Sequence, residues 1–255
     1  MTLTSLGMPA LPPPSEPTWK QAWDAALYGS AQGYLRSHPP TLLQAREDVL
    51  DLLVTEDPAE LVLLGSVGAL TPAIARALPR AEIRFDLQAG YAGTVLAGDW
   101  LAHVPTHVVQ VDGDGYPRMV HVDPITGRER LGARLAETGV PQQVGRWLQE
   151  WWPVADRGTG ARAEVGTARD AAWRDVVRNL GPGGRAIALE PGHVRSTRPD
   201  RGSLRSLGPV GTEAAVIVPD GSRDIVADVA LDAVADATGS LLVDDDGPTR
   251  VVHVA

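Results

Sequence analysis

The chain has 255 residues, of which 44% are hydrophobic and 22% charged, with a formal net charge of −9. That length suits one large α/β domain with a substantial core, and the acidic balance with scattered arginines speaks against bulk nucleic acid or an anionic membrane as partner. Cysteine is absent, which excludes disulfides, thiolate metal sites and a cysteine nucleophile. Met1 to Pro17 has neither a basic start nor a long apolar run, and no stretch approaches the roughly 20 apolar residues of a membrane span, so a cytoplasmic location is expected.

Residues 1–17 include a proline-rich stretch and read as a disordered tail ahead of one domain over 18–255. Thr18 is placed to cap a helix carrying Trp19, Trp23, Ala26 and Leu27 at helical spacing and ending near Gly29. A loop with Gly33, Pro39 and Pro40 precedes a second helix, expected from Leu42 to Val54. The apolar run Leu61 to Leu64, the glycine turn Gly65-Ser66-Val67-Gly68 and the amphipathic stretch Leu70 to Leu78 read as buried strand, tight turn and helix, the opening of a parallel sheet. Glu82 to Asp86 and Thr94 to Leu96 read as the next strands. His107–Val111 and Arg118–Val122, separated by Asp112-Gly113-Asp114-Gly115, read as a hairpin. Asp123 to Gly127 reads as another turn. A tryptophan-rich helix is expected from Val144 to Trp152 and another over 167–180, the latter stopped by Gly181 to Gly184. Arg185 to Leu189 is a buried strand, 190–212 a long loop, and Ala214 to Val218 a further strand. Leu241–Val243 and Arg250–Val254 are expected to close the chain as a hairpin.

The glycine turn is the first candidate site. Glycines there let a backbone approach a ligand, and the helix start offers free N–H groups; the same pattern also serves simply as a tight turn. Asp86, about 20 residues on, stands where an acidic side chain would take ribose hydroxyls, or is a solvated carboxylate at a strand end. Glu190-Pro191-Gly192-His193 follows a buried strand at the edge where open sheets bind ligands. Trp147 and Trp151 share a helix face that suits core packing better than a partner surface. His103 and His107 are four apart, but Pro105 breaks any helix between them, so no metal site is expected. Asp244-Asp245-Asp246-Gly247 lacks the other ligands of a calcium loop and reads as a turn.

Taken in order, these segments resemble the MidA family of S-adenosylmethionine-dependent methyltransferases, which includes mitochondrial complex I assembly factors and many bacterial members. Ala25-Ala26-Leu27-Tyr28-Gly29 with Gly33-Tyr34 resembles the family's ALYG…GFY start, and Leu64 to Leu70 its cofactor loop LGAGRGEL. Gly98 to Pro105 is similar to NEWLDNVP, and Val122-Asp123-Pro124 with Thr126-Gly127 to the hairpin insertion of bacterial members. Glu190 to His193 stands for DYGH, Gly202 to Arg205 for GTLR, and Asp224 to Val229 for DITAHV. The resemblance implies a Rossmann-like class I methyltransferase sheet flanked by helices, with a β-hairpin insertion. It also implies S-adenosylmethionine held by Gly65, Ser66, Gly68 and Asp86, with Asp99 and Glu190 as catalytic carboxylates. His193, Arg205 and Asp224 would bind the substrate, which the resemblance suggests is a protein side chain. The chain departs from the pattern at Val67, Ala69, Gly98, Asp99, Ala102, Pro191 and Asp228, and it stops soon after the last motif. Lost polar side chains there leave a second reading open, an inactive methyltransferase-like protein acting as a binding or assembly factor. A third, a nucleotide-binding oxidoreductase, has only the glycine turn behind it.

Overall fold

The computed structural model describes residues 16–30, 32–137, 139–208, 211–244 and 248–255. The tail before Glu16, and most of the Asp244–Gly247 turn, lie outside the described residues.

The chain opens with α1 (Trp19–Tyr28), whose Thr18 side chain and Gln21 form a reciprocal capping box. Next come α2 (Arg46–Glu56), β1 (Glu60–Gly65), α3 (Thr71–Ala77), β2 (Glu82–Arg84) and β3 (Thr94–Gly98). Then follow β4 (His107–Val111), β5 (Pro117–Val122), β6 (Glu129–Arg134), α4 (Gln142–Trp151), β7 (Arg162–Val165) and α5 (Thr167–Arg178). The remainder is β8 (Arg185–Leu189), β9 (Gly192–His193), β10 (Arg205–Leu207), β11 (Asp224–Val226), β12 (Val229–Ala230), α6 (Leu231–Asp236), β13 (Leu241–Val243) and β14 (Arg250–Val254).

The central sheet runs in the order β13-β14-β8-β3-β1-β2. Strands β2, β1, β3 and β8 are parallel, and β14 is antiparallel to both β8 and β13. Its strands are apolar on both faces because helices cover both. Val62, Val95, Ala97, Ala186, Ala188 and Val251 pack with Trp173 and Val176 of α5 and Leu231 and Val234 of α6. The alternate residues Leu61, Leu63, Leu96, Ile187, Leu189 and Val252 pack with Val49 and Leu53 of α2 and Ile74 of α3. Side chains alternating across each strand feed two separate cores, which is why Leu61 to Leu64 reads as a continuous apolar run.

The expected hairpin is β4 and β5, and it belongs to a second, antiparallel sheet in the order β6-β5-β4-β7. One face packs on Trp147 and Leu148 of α4 and on Trp152 just past its end; the other packs on α1 through Trp19, Trp23 and Leu27. Trp147 and Trp152 therefore belong to the core.

Two expected elements differ. The second helix begins at Arg46, not Leu42, because the backbone N–H groups of Thr41, Leu43 and Gln44 are donated to aspartates from elsewhere in the fold. Ala214 to Val218 is not a strand: beyond a bridge between Glu213 and Leu207, the segment leaves the sheet and Ile217 lies against Gly127. A short apolar run rich in β-branched residues does not make a strand where no partner strand is on offer.

Candidate active site

Three parallel strands end side by side, with Gly65 opposite Gly98 and Gly98 opposite Leu189. The residues that follow, Ser66, Asp99 and Glu190, therefore meet at the carboxyl edge of the sheet, the edge where ligands bind in open α/β sheets.

Gly65 has φ 81° and ψ −152°, a conformation essentially confined to glycine. A Cβ there would stand 2.5 Å from the Gly98 carbonyl oxygen and 2.7 Å from Trp100 Cβ. The chain then turns through a 3-10 segment, Ser66–Leu70, into α3. Gly68 lies by the ring of Phe85, just beyond β2, and Asp86 follows with its side chain exposed.

Asp99 is fully buried and holds φ 50°, a conformation rare outside glycine. Its Oδ2 accepts from Ser66 Oγ at 2.6 Å, from Leu43 N at 2.8 Å and from Gln44 N at 3.3 Å. Its Oδ1 is buried with no hydrogen-bond partner among the described residues. Burial raises the Asp99 pKa above the ordinary carboxylate range despite those donors.

Glu190 is buried too, and caps the 3-10 turn Leu101–His103. Its Oε1 accepts from Trp100 N and Leu101 N, both at 2.9 Å, and its Oε2 from Ala102 N at 3.0 Å. Burial pushes its pKa up to about 8, against the opposing pull of those N–H groups.

His103 joins the two halves of the cluster. Its Nδ1 meets the Asp99 carbonyl oxygen, which can only accept, so that nitrogen carries a hydrogen. Its Nε2 lies 3.0 Å from Asp224 Oδ2, which also accepts from Thr41 N at 2.7 Å. Burial alone would lower the His103 pKa, but Asp224, the Asp99 carbonyl and the Glu190 charge together raise it. Asp224 Oδ1, like Asp99 Oδ1, is buried without a partner among the described residues. Tyr28 closes the group by donating to the His103 carbonyl at 3.1 Å, and burial pushes its hydroxyl up to about 12.

The structure thus brings Gly65, Ser66, Asp99, Glu190 and Asp224 into one cluster; Gly68 lies beside Phe85, and Asp86 is exposed just past β2. His193 and Arg205 are tied up separately. Arg198 donates to His193 Nδ1 at 2.9 Å, so the ring proton sits on Nε2, and burial lowers the His193 pKa to about 4. Arg205 pairs with Asp228 Oδ1 at 2.7 Å.

Sequence reasoning missed two members of this region. Arg169 of α5 is buried and donates to the carbonyls of Asp228, Ala102 and Ala227, tying the 3-10 turn to the β11–β12 corner. An arginine one turn into a helix reads as solvated, and only its place in the fold shows otherwise. His103 was visible only as half of a histidine pair, while its true partner is 121 positions away. Among the described residues no group of three or more His, Cys, Asp or Glu could hold a metal ion, and no helix is long and apolar enough to cross a membrane. A cleft of about 700 Å³ between the β5–β6 region and α4 includes none of the residues of this cluster.

No protein-family model matches the chain, and no curated protein matches it in sequence. Solved structures do. An uncharacterised COG1565 superfamily protein from Burkholderia thailandensis superposes with a TM-score of 0.69 at 17% identity, over 89% of this chain and 72% of that one. A COG1565 superfamily member from Burkholderia thailandensis, given as an expected methyl transferase and bound to S-adenosyl-homocysteine, superposes with a TM-score of 0.64 at 17% identity, over 89% of this chain and 73% of that one. The fold is therefore a mixed α/β fold similar to that of a methyltransferase-type protein.

Proposed function

We infer that residues 18–255 form a class I methyltransferase-type domain, divergent from the MidA family, that binds S-adenosylmethionine. The observation that carries this reading is the meeting of the Gly65–Gly68 turn with the end of β2, at the carboxyl edge of a sheet whose strand β14 is reversed. Similarity to a protein that holds S-adenosyl-homocysteine supports it.

The residues present fit the cofactor in chemistry. Asp86 offers an exposed carboxylate for ribose hydroxyls, and the Phe85 ring, 59% exposed, offers a flat apolar face beside the glycine turn. Asp99 Oδ1 has no partner among the described residues and, once the burial over it is relieved, is an acceptor of the kind an ammonium group satisfies. Bound, the cofactor supplies a methyl group on a sulfonium that leaves readily.

The chain's own residues position rather than titrate. Gly65 lets the backbone pass under Trp100, Ser66 fixes Asp99, and Glu190 holds the 3-10 turn that forms one wall. In-line placement of donor and acceptor is then the main source of rate. Asp99 and Glu190 are sealed in, so they hold backbone and do not reach an acceptor as a base; a nucleophile that arrives unprotonated suits such a site. With a net charge of −9, a protein side chain fits as acceptor better than a nucleic acid. The same sealing of Asp99 and Glu190 favours the second reading, a binding or assembly protein without turnover.

Calorimetric titration with S-adenosylmethionine and S-adenosyl-homocysteine tests the first reading. Saturable micromolar binding, weakened in Asp86→Ala, whose side chain is exposed, supports it. A folded protein that shows no binding up to millimolar ligand leaves the binding-protein reading in front.

A further inference from the structure

The loop between the first two helices is held against the Asp99–Asp224 cluster. Thr41 N donates to Asp224 Oδ2 at 2.7 Å, and Leu43 N and Gln44 N donate to Asp99 Oδ2 at 2.8 and 3.3 Å. Both carboxylates are fully buried. Each keeps a second oxygen, Asp99 Oδ1 and Asp224 Oδ1, with no partner among the described residues, although a buried carboxylate oxygen left bare is costly.

The hold is one-sided. Ala45, at the cap of α2, makes no side-chain cap bond, and no hydrogen bond from the side chains of Thr41 to Gln44 fixes the loop elsewhere among the described contacts. Leu42 and Leu43 pack only as partly buried neighbours of the two cores. Backbone N–H groups are donors without charge, so an ammonium or a hydroxyl-bearing ligand offers the carboxylates at least as good a partner and can also satisfy the bare oxygens.

We propose that Thr41–Gln44 is an internal strap that occupies the polar end of the ligand site, and that ligand binding displaces it. This rests on the reading above, that the site takes S-adenosylmethionine or its demethylated product. The strap lowers apparent affinity because part of the binding free energy goes into lifting it, so the chain binds tightly only when the strap is loosened.

Two measurements test this, with S-adenosyl-homocysteine as probe. The first is titration of wild type against Leu43→Pro and Gln44→Pro, which each delete one donor to Asp99, with unfolding curves as a check that the variants fold. Loosening predicts binding at least about fivefold tighter in the variants, as loss of one charge-assisted bond to the strap implies. Equal affinity in folded variants overturns the strap and leaves the cofactor reading standing. No binding by any of the three overturns the cofactor reading and the strap with it. The second is amide hydrogen exchange of the wild-type chain, which needs no variant. Faster exchange at 41–44 when ligand is bound is the expected result; unchanged or slower exchange there overturns displacement.

Discussion

Ser66 Oγ donates a 2.6 Å hydrogen bond to Asp99 Oδ2, across two neighbouring parallel strands, with both side chains sealed from solvent. A serine in a glycine turn and an aspartate at the end of the next strand in the sheet thereby act as a clasp between β1 and β3. Ser66→Ala is expected to cost about 1.5–3 kcal/mol, the range for a buried hydrogen bond to a charged group. Urea unfolding measures it; a loss below about 0.5 kcal/mol would mean the clasp is redundant with Leu43 and Gln44.

Gly65→Ala is expected to be worse. The new Cβ meets the Gly98 carbonyl and Trp100, neither of which can swing aside, in a backbone conformation that alanine disfavours. The combined cost is about 3 kcal/mol or more. A drop in the thermal midpoint no larger than that of Gly113→Ala, where a Cβ meets nothing within 4 Å, would contradict this.

Arg169→Met takes a donor away from the carbonyls of Asp228, Ala102 and Ala227 and removes a fully buried positive charge coupled to Glu164 and Glu190. The expected loss is about 3–5 kcal/mol, the range for breaking a buried charge arrangement from one side. Denaturant unfolding is the check, and a near-neutral result would show that water replaces the guanidinium.

Stability depends on pH with opposite signs from different groups. Glu190 rises from 4.5 to about 8 on folding, so through that window the folded chain holds a proton the unfolded chain has released, and stability falls as pH rises. His107 and His193 drop from 6.5 to about 4, so their contribution is present above 6.5 and is lost as pH falls through that range. Glu190→Gln is expected to gain on wild type between about pH 5 and about pH 8.5, because glutamine cannot ionise in the unfolded chain, and that ionisation is what lowers wild-type stability through the window. Parallel stability profiles for the two proteins would rule out Glu190 as the source.

Asp86→Ala separates binding from folding. The side chain is exposed, and among the described residues its one side-chain hydrogen bond comes from Gln88 Nε2 at 3.3 Å, so stability is expected to stay within about 0.5 kcal/mol. Affinity for S-adenosyl-homocysteine is expected to fall about tenfold, since each lost bond to ribose is of order 1.5 kcal/mol. Unchanged affinity in a protein that binds would place the ribose elsewhere.

Local pattern carried much of the architecture. Thr18 and Gln21 cap α1, Leu61–Leu64 is buried on both faces, the Asp112–Gly115 turn joins β4 to β5, and Leu241–Val243 pairs with Arg250–Val254. Each rests on neighbours in sequence, whose spacing alone sets capping, alternation and turn geometry. Ala214–Val218 shows the limit, since this apolar run had no strand to pair with.

By itself the sequence marked out residues at strand ends: Gly65 and Ser66, and Glu190, follow apolar runs that read as buried strands, while Asp99 was marked by the resemblance of Gly98 to Pro105 to a family motif. The tertiary structure alone decided what those residues touch. Strand order puts β3 between β1 and β8, and that places Ser66 on Asp99 and Glu190 on the turn after it. It also sends Arg169 inward, joins His103 to Asp224, and draws the amides of Thr41–Gln44 out of a helix and onto two buried carboxylates. A buried charge takes whatever donors the packed chain brings within reach, and those donors come from segments up to 183 positions away.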